Sequence, residues 1–149
     1  MRAVVQRVSR AQVTVAGEQV GAIAGGLCVL VGVARGDEER DATWLAEKVC
    51  LARVFSDAEG KMNRSLVDEG LSMLAVSQFT LLGDLRRGRR PSFSEAMEPE
   101  GAARLFQAFC GECRKRGVLV ETGRFRAEME VELVNTGPVT LLLDSKRLF

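Results

Sequence analysis

The sequence predicts one domain of the α/β (α+β) class, in which a strongly twisted, mixed but largely antiparallel sheet curls into a barrel-like core with two packed helices. Its 149 residues match the usual size of a single domain and are enough to bury a sizeable core. A content of 46% hydrophobic and 28% charged residues is typical of a folded protein. Short turns join most of the strand-like segments, which favours antiparallel pairing. We therefore treat residues 1–149 as one domain.

The first half of the chain has the pattern of three strands followed by a helix. Residues 1–15 alternate in hydrophobicity, as a half-buried strand does, and residues 27–33 form the continuous apolar run of a central strand. The acidic segment 36–39 is favourable at a helix N-terminus. The predicted elements are strands at 1–15, 19–24 and 27–33 and a helix that continues to about residue 54.

The second half predicts a further helix, which opens with Pro99 and stops at Gly117. A proline between two strands removes a ladder donor, so Gly137-Pro138 marks an edge, a bulge or a turn, and the dipeptide alone favours a hairpin turn. The remaining predicted segments are a turn-rich stretch at 56–70, a buried strand at 71–79, a basic loop at 82–91, and strands at 118–123, 126–134 and 139–144.

Composition and charge exclude several classes of protein. A formal net charge of +1 gives no bulk attraction to nucleic acid, so any such binding needs a local patch. The longest apolar run, 27–34, is too short to span a bilayer, and the charged residues near the N-terminus do not fit a secretory signal. These features predict a cytoplasmic protein. The chain has no histidine, so no imidazole takes part in its chemistry.

The four cysteines suggest a redox or metal function, because two of them form the segment Cys110-Gly-Glu-Cys113. Both of these lie in the predicted helix and extend the apolar stripe of Leu105 and Phe109. A zinc site without histidine needs four thiolates, and the other two cysteines stand alone in apolar runs. We therefore predict buried, reduced thiols and no metal or cofactor.

The segment Ser77-Gln78-Phe79-Thr80 places polar residues at the end of a predicted buried strand. One interpretation is a strand exit capped by its own hydroxyls, and the other is a functional site. Standard catalytic motifs, such as a nucleophile elbow or a phosphate-binding loop, are missing. Without histidine, an enzyme of this sequence is expected to work through orientation and main-chain dipoles.

This motif, the segment 135–140 around Gly137-Pro138, and the opening residues 1–8 resemble those of the D-aminoacyl-tRNA deacylases, the D-tyrosyl-tRNA deacylase family, over the whole chain. The resemblance implies a metal-free homodimer that hydrolyses the ester of D-aminoacyl-tRNA and clears glycine mischarged on tRNA, and so proofreads for translation. It also implies a cis Gly137-Pro138 bond that one subunit inserts into the pocket of the other. There its carbonyls hold the substrate so that an L side chain strikes main-chain atoms.

The resemblance also implies which residues carry out the hydrolysis. The scissile carbonyl lies beside Ser77, Gln78, Phe79 and Thr80, and backbone N–H groups near Phe79 and Thr80 stabilise the oxyanion. Two mechanisms stay open: attack by the Thr80 hydroxyl, and attack by water with help from the ribose 2′-hydroxyl. We favour the second, because no residue near the motif can serve as a base for Thr80.

Three further residues have supporting roles by the same resemblance. Arg7 either is a charged residue at a sheet edge or braces the Gly-Pro segment through hydrogen bonds to carbonyls. Phe125 and Met129 match positions that line the adenosine of the substrate or flank the Gly-Pro strand in the family, and core packing is the alternative.

A cluster of arginines surrounds Gly88 in the loop after the motif and suits phosphate, although a merely solvated loop is the alternative. If the loop binds the acceptor end of tRNA, its phosphate contacts are Arg86, Arg87, Arg89 and Arg90. Three other functions stay open at this point. They are a non-catalytic tRNA-binding dimer, an esterase or amidase for small substrates, and a redox protein.

Overall fold

One long strand, β1 (Arg2–Val15), organises the sheet, because three other strands pair with it. The structure is a computed structural model, and it describes residues 1–149. The other strands are β2 (Glu18–Ile23), β3 (Gly26–Gly32), β4 (Phe55–Ser56), β5 (Met62–Arg64), β6 (Ser72–Ser77), β7 (Val120–Thr122) and β8 (Glu130–Asp144). The helices are α1 (Glu39–Leu51), α2 (Leu66–Glu69) and α3 (Pro99–Lys115), and a 3₁₀ turn covers Phe79–Leu82.

The main sheet is mixed and nearly closes on itself, as the sequence predicts. On one side of β1, the first half pairs with β3 and the second half with β2, while β8 runs antiparallel along the other side. β3 continues into β6 and β7 through parallel pairs. A Cβ added to Gly21 of β2 would lie 2.4 Å from the carbonyl oxygen of Thr122 in β7. The two ends of the sheet therefore approach each other as in a barrel.

The core is divided between the two faces of this sheet, because successive side chains of a strand point to opposite faces. On one face, Leu27, Val29 and Val31 pack against buried residues of α1 and α3. On the other face, a smaller cluster that includes Val13 and Val76 fills the barrel. The prediction of two helices packed on a barrel-like sheet is thereby confirmed, and the four-residue α2 is an addition to it.

The helix boundaries follow local capping. α1 begins with a capping box in which the side chains of Glu38 and Asp41 accept from each other's backbone N–H. It ends at Leu51 instead of the predicted 54, because Ala52 already has extended backbone angles. α3 has Pro99 at its start, as predicted, and gives way at Gly117 to a positive φ of 85°.

The Gly137-Pro138 step is a bulge inside β8, and the prediction of a hairpin turn between two strands at 126–134 and 139–144 is wrong. In the pairing with β1, Gln6 faces Thr140 but Val8 already faces Asn135, so residues 136–139 oppose Arg7 alone. The Asn135 amide spans this bulge: its Oδ1 accepts from the Val139 N–H at 2.8 Å, and its Nδ2 donates to the Val139 carbonyl at 3.2 Å. Proline is tolerated here because a bulge needs no ladder donor.

Three smaller predictions are corrected as well. β6 ends at Ser77, and Phe79 and Thr80 belong to the following 3₁₀ turn. The turn-rich stretch 56–70 contains the β4–β5 hairpin and α2. Residues 126–129 precede β8, and β7 starts at Val120. For β6 and β7, the hydrophobic pattern extends beyond the hydrogen-bonded strand.

All four cysteines are free and buried, as predicted. Cys110 and Cys113 point from α3 into the core. Burial raises the pKa of the Cys28 and Cys110 thiols to about 11, which keeps them protonated and unreactive near neutral pH. None of the helices has the length and the apolar character needed to cross a membrane.

Candidate active site

A cleft of about 570 Å³ opens at the C-terminal end of β6. Because β3 and β6 are parallel, their ends bring Val33 and Ser77 to the same edge of the sheet. The first turn of α3 and the segment 125–131 form the other walls. Eleven of the fifteen lining residues are hydrophobic, so the cleft suits a ligand with a large apolar or aromatic part.

The predicted motif residues form one wall of the cleft. Ser77, Gln78 and Phe79 line it, whereas Thr80 lies on the exposed side of the same turn. The Gln78 N–H donates to the Val31 carbonyl at 2.8 Å, which anchors the turn to β3. The Gln78 side-chain amide also donates to the Thr80 hydroxyl. The conformation of the turn is thus held by both backbone and side-chain bonds.

Two backbone donors at this turn have no acceptor within it. The first hydrogen bond of the 3₁₀ turn runs from the Leu81 N–H to the Gln78 carbonyl. The N–H groups of Phe79 and Thr80 precede that bond, as the first N–H groups of any helical turn do. Such donors beside an apolar cleft can stabilise negative charge that develops on a substrate oxygen.

The cleft offers little for acid–base chemistry by side chains. Arg126 is the single charged residue among those that line it, and its guanidinium has hydrogen-bond donors but no acceptor. The polar neighbours Ser77 and Gln78 do not titrate near neutral pH. A reaction in this cleft must therefore take its protons from water or from the substrate itself.

Phe125 and Met129 line the cleft, and both are half-buried and also pack against the core, so their contact with adenosine stays a prediction. The sequence analysis did not identify Phe93, which also lines it and meets Phe79 edge to face with ring centroids 5.0 Å apart. The sequence does carry a signal for Phe93, because it is an aromatic residue just after the basic loop. Arg126 was missed because its neighbours gave it a place in a predicted strand.

The Gly137-Pro138 bond is cis, as the resemblance implies, and both residues are exposed. Arg7 reaches this segment: its Nε donates to the Thr136 carbonyl at 3.1 Å, and Nη1 donates to the Val54 carbonyl after α1. Since β1 has a strand on each side, the interpretation of Arg7 as a sheet-edge residue is wrong. These two hydrogen bonds of Arg7 connect the bulge to the segment after α1, on the helix side of the sheet.

Within one chain, the bulge lies far from the cleft. The register aligns Ser77 with Val31, Ala3 and Leu143 across three strand spacings, or roughly 14 Å. Along β8, Pro138 lies five residues before Leu143. Five residues of extended strand span roughly 16 Å, and the bulge shortens this path. Neither Gly137 nor Pro138 lines the cleft. The chain carries both motifs but does not bring them together on its own.

The basic loop has fewer free charges than its sequence suggests. A bridge between Asp84 and Ser92 closes it. The Arg86 guanidinium donates to the Asp84 carboxylate at 2.7 and 2.9 Å, and these bonds hold the pKa of Asp84 well below its usual range. Arg86 is therefore paired with an acid, and the phosphate contacts of the four arginines stay a prediction. The exposed arginines without an ion pair are Arg87, Arg89 and Arg90.

Comparison with known proteins gives a consistent result. The family model described as D-Tyr-tRNA(Tyr) deacylase matches residues 4–144. Proteins named D-aminoacyl-tRNA deacylase are 60% identical in Anaeromyxobacter dehalogenans and 56% identical in Thermotoga petrophila, each over the full length of both chains.

Solved structures share the fold. One named c-Myc DNA Unwinding Element Binding Protein has a TM-score of 0.91 and 42% identity, and covers 97% of this chain and 98% of its own. A second, described as a "probable eukaryotic D-amino acid tRNA deacylase", has a TM-score of 0.81 over 95% and 97% of the two chains. Its 20% identity supports the fold alone. The chain belongs to the D-Tyr-tRNA(Tyr) deacylase family and is, like the members of that family, a hydrolase.

Proposed function

We propose that this hydrolase cleaves the ester that joins a D-amino acid to the terminal ribose of a tRNA, and releases the D-amino acid and the tRNA. Relatives that are 56–60% identical to it carry the name of this activity. The observation that carries the proposal is the turn after β6, which presents two backbone donors beside an apolar cleft and has no titratable side chain. Aminoacyl-tRNA is used in the cytoplasm, and we infer the same location for this enzyme.

The ester is cleaved by water. Water adds to the carbonyl carbon, and the N–H groups of Phe79 and Thr80 stabilise the resulting oxyanion, a contribution of about 2.7–4 kcal/mol for each donor. The ribose 2′-hydroxyl passes a proton from the attacking water to the departing 3′-oxygen. The products are the free carboxylic acid and the 3′-hydroxyl of the tRNA. Thr80, held by Gln78, positions the water and does not form an acyl-enzyme.

Gly137 and Pro138 select the D-enantiomer. Their carbonyl oxygens hold the amino group and the Cα hydrogen of the substrate, so that a D side chain points to open space and an L side chain strikes main-chain atoms. Rejection by rigid backbone does not depend on which L side chain is present. Glycine has no Cβ to collide, so glycine mischarged on tRNA is hydrolysed too.

This selection requires a second copy of the chain, because neither Gly137 nor Pro138 lines the cleft of its own chain. β8 pairs on one side only, and it exposes apolar side chains next to the bulge. These exposed residues are Val134, Leu141 and Leu142. A long, apolar edge strand is a self-pairing surface, which supports a homodimer in which each chain inserts its bulge into the cleft of the other.

The matched hydrolysis of D-tyrosyl-tRNA, L-tyrosyl-tRNA and the ethyl ester of D-tyrosine tests the proposal. We expect turnover of the first substrate alone. The D-over-L ratio should exceed the roughly 10–200-fold that a fitted apolar pocket achieves between close analogues. Binding of both tRNAs without turnover would identify a tRNA-binding dimer, and rapid hydrolysis of the free ester would identify an esterase for small substrates.

A further inference from the structure

Arg126 has an unusual backbone for its residue type. The Ala127 N–H donates to the Arg124 carbonyl at 3.2 Å, which closes a four-residue turn with Phe125 and Arg126 at its centre. Arg126 has a φ of +63°, the conformation that the third residue of a type II turn requires and that glycine usually supplies. An observed backbone outlier beside a cleft is a reason to look for a function.

The side chain of Arg126 also has no polar partner within the protein. It makes no ion pair and no hydrogen bond to any other residue, and it is the single charge in the lining of the cleft. The nearby Arg124 differs on both points, since it faces Glu18 at 3.8 Å and does not line the cleft. A guanidinium without an internal partner, at the rim of an apolar cleft, is suited to bind an anion of the ligand.

The position of Arg126 next to Phe125 in the turn indicates which anion of the ligand the guanidinium contacts. Phe125 precedes it and lines the same cleft, where an adenine ring can stack on its face. The ester lies on the ribose of that terminal nucleotide, and the nearest negative charge is the phosphate on the 5′-oxygen of the same ribose. Arg126 is adjacent to Phe125, on which the base stacks. It therefore lies within the length of one ribose of this phosphate.

We propose that Arg126 binds the 5′-phosphate of the terminal adenosine and so distinguishes a nucleotide from a nucleoside in the cleft. This inference rests on the proposed function, because it assumes that the 3′ end of tRNA occupies the cleft. It adds a phosphate contact outside the basic loop. The cleft would then recognise the terminal nucleotide itself, independently of the rest of the tRNA.

Binding of AMP and of adenosine to the purified protein tests this contact without any need for turnover. We expect Arg126→Asn to weaken AMP binding about tenfold and to leave adenosine binding unchanged. Asparagine tolerates a positive φ, so the turn is retained. Arg126→Lys should restore part of the AMP affinity, and the matched control Arg124→Asn should change neither affinity.

Hydrolysis provides the second measurement. With 3′-O-D-tyrosyl adenosine and its 5′-monophosphate as substrates, Arg126→Asn should raise the KM of the phosphorylated substrate alone. Equal effects of Arg126→Asn on AMP and adenosine, or no effect on either, would overturn the assignment of Arg126. If neither D-tyrosyl substrate nor D-tyrosyl-tRNA is hydrolysed by the unaltered protein, the proposed function fails, while the AMP measurement still decides the phosphate contact.

Discussion

The cleft at the end of β6 and the bulge of β8 differ in almost every physical respect. The cleft is lined mainly by apolar side chains and has backbone donors at its edge, and its turn is fixed by Gln78. The bulge lies on a strand that is paired on one side only, and it offers carbonyl oxygens and a proline ring to solvent. The turn beside the cleft offers backbone donors, and the exposed Gly137-Pro138 step offers carbonyl acceptors. On our proposal they are complementary halves that meet only between two chains.

The largest effect is expected from Gly137→Ala, which alters the bulge and leaves the cleft intact. A Cβ at this position would lie 2.8 Å from Nη2 of Arg7 and 2.9 Å from Cγ2 of Val139, on a backbone with a φ of +124°. We expect the turnover of D-tyrosyl-tRNA to fall about 100-fold, since small misplacements of positioning groups have effects of this size. Gly60→Ala is the control, because Gly60 also has a positive φ but has no atom within 4 Å of an added Cβ.

Mixing two inactive variants tests directly whether the halves belong to different chains. Ala127→Trp obstructs the cleft and leaves the bulge intact. Equal amounts of this variant and Gly137→Ala, unfolded and refolded together, should recover about a quarter of the original turnover, because half of the dimers are mixed and one of their two sites is intact. Absence of recovery, with mixed dimers detected by mass, would place cleft and bulge in the same chain.

A smaller loss is expected from Arg7→Gln, which detaches the bulge from its support. Arg7 holds the carbonyls of Thr136 and Val54, and bonds from a charged group contribute about 1.5–3 kcal/mol each. Turnover of D-tyrosyl-tRNA should fall about tenfold or more. The matched change Arg10→Gln, on the same strand but paired with Glu132 in solvent, should have little effect. An equal loss in both variants would indicate general destabilisation of β1.

The basic loop should affect affinity without affecting the choice of enantiomer. Replacement of Arg87, Arg89 and Arg90 by glutamine should reduce the slope of log affinity for tRNA against log salt by about 2–3. The D-over-L ratio should stay the same, because none of these three arginines lines the cleft or belongs to the bulge. Arg86→Gln should change the slope less, since Asp84 already neutralises that guanidinium. A slope unchanged in the triple variant would exclude the loop from the interface.

The sequence was sufficient where a local signal determines the structure. Alternation predicted β1, Pro99 marked the start of α3, and polar residues at 77–80 marked the edge of the cleft. It was insufficient where distant residues determine the outcome. Pro138 locally signals a break, but β8 continues because the Asn135 side chain bonds across the bulge and β1 pairs on both sides of it. Likewise, Arg126 and Ser77 share a cleft because Arg126 follows β7 and Ser77 ends β6, two adjacent parallel strands that are distant in the sequence.

The smallest effect is expected from Thr80→Val, and it decides what the turn after β6 contributes. If water attacks with help from the ribose, valine should reduce turnover less than about tenfold, whereas a substrate that ends in 2′-deoxyadenosine should be hydrolysed about 100-fold more slowly. Thr80→Ser is the matched control, because serine keeps a hydroxyl that can act as a nucleophile. Full activity in the serine variant with none in the valine variant, and normal hydrolysis of the deoxy substrate, would instead assign the attack to Thr80. The cleft would then supply a nucleophile as well as donors, and the bulge would contribute selection alone.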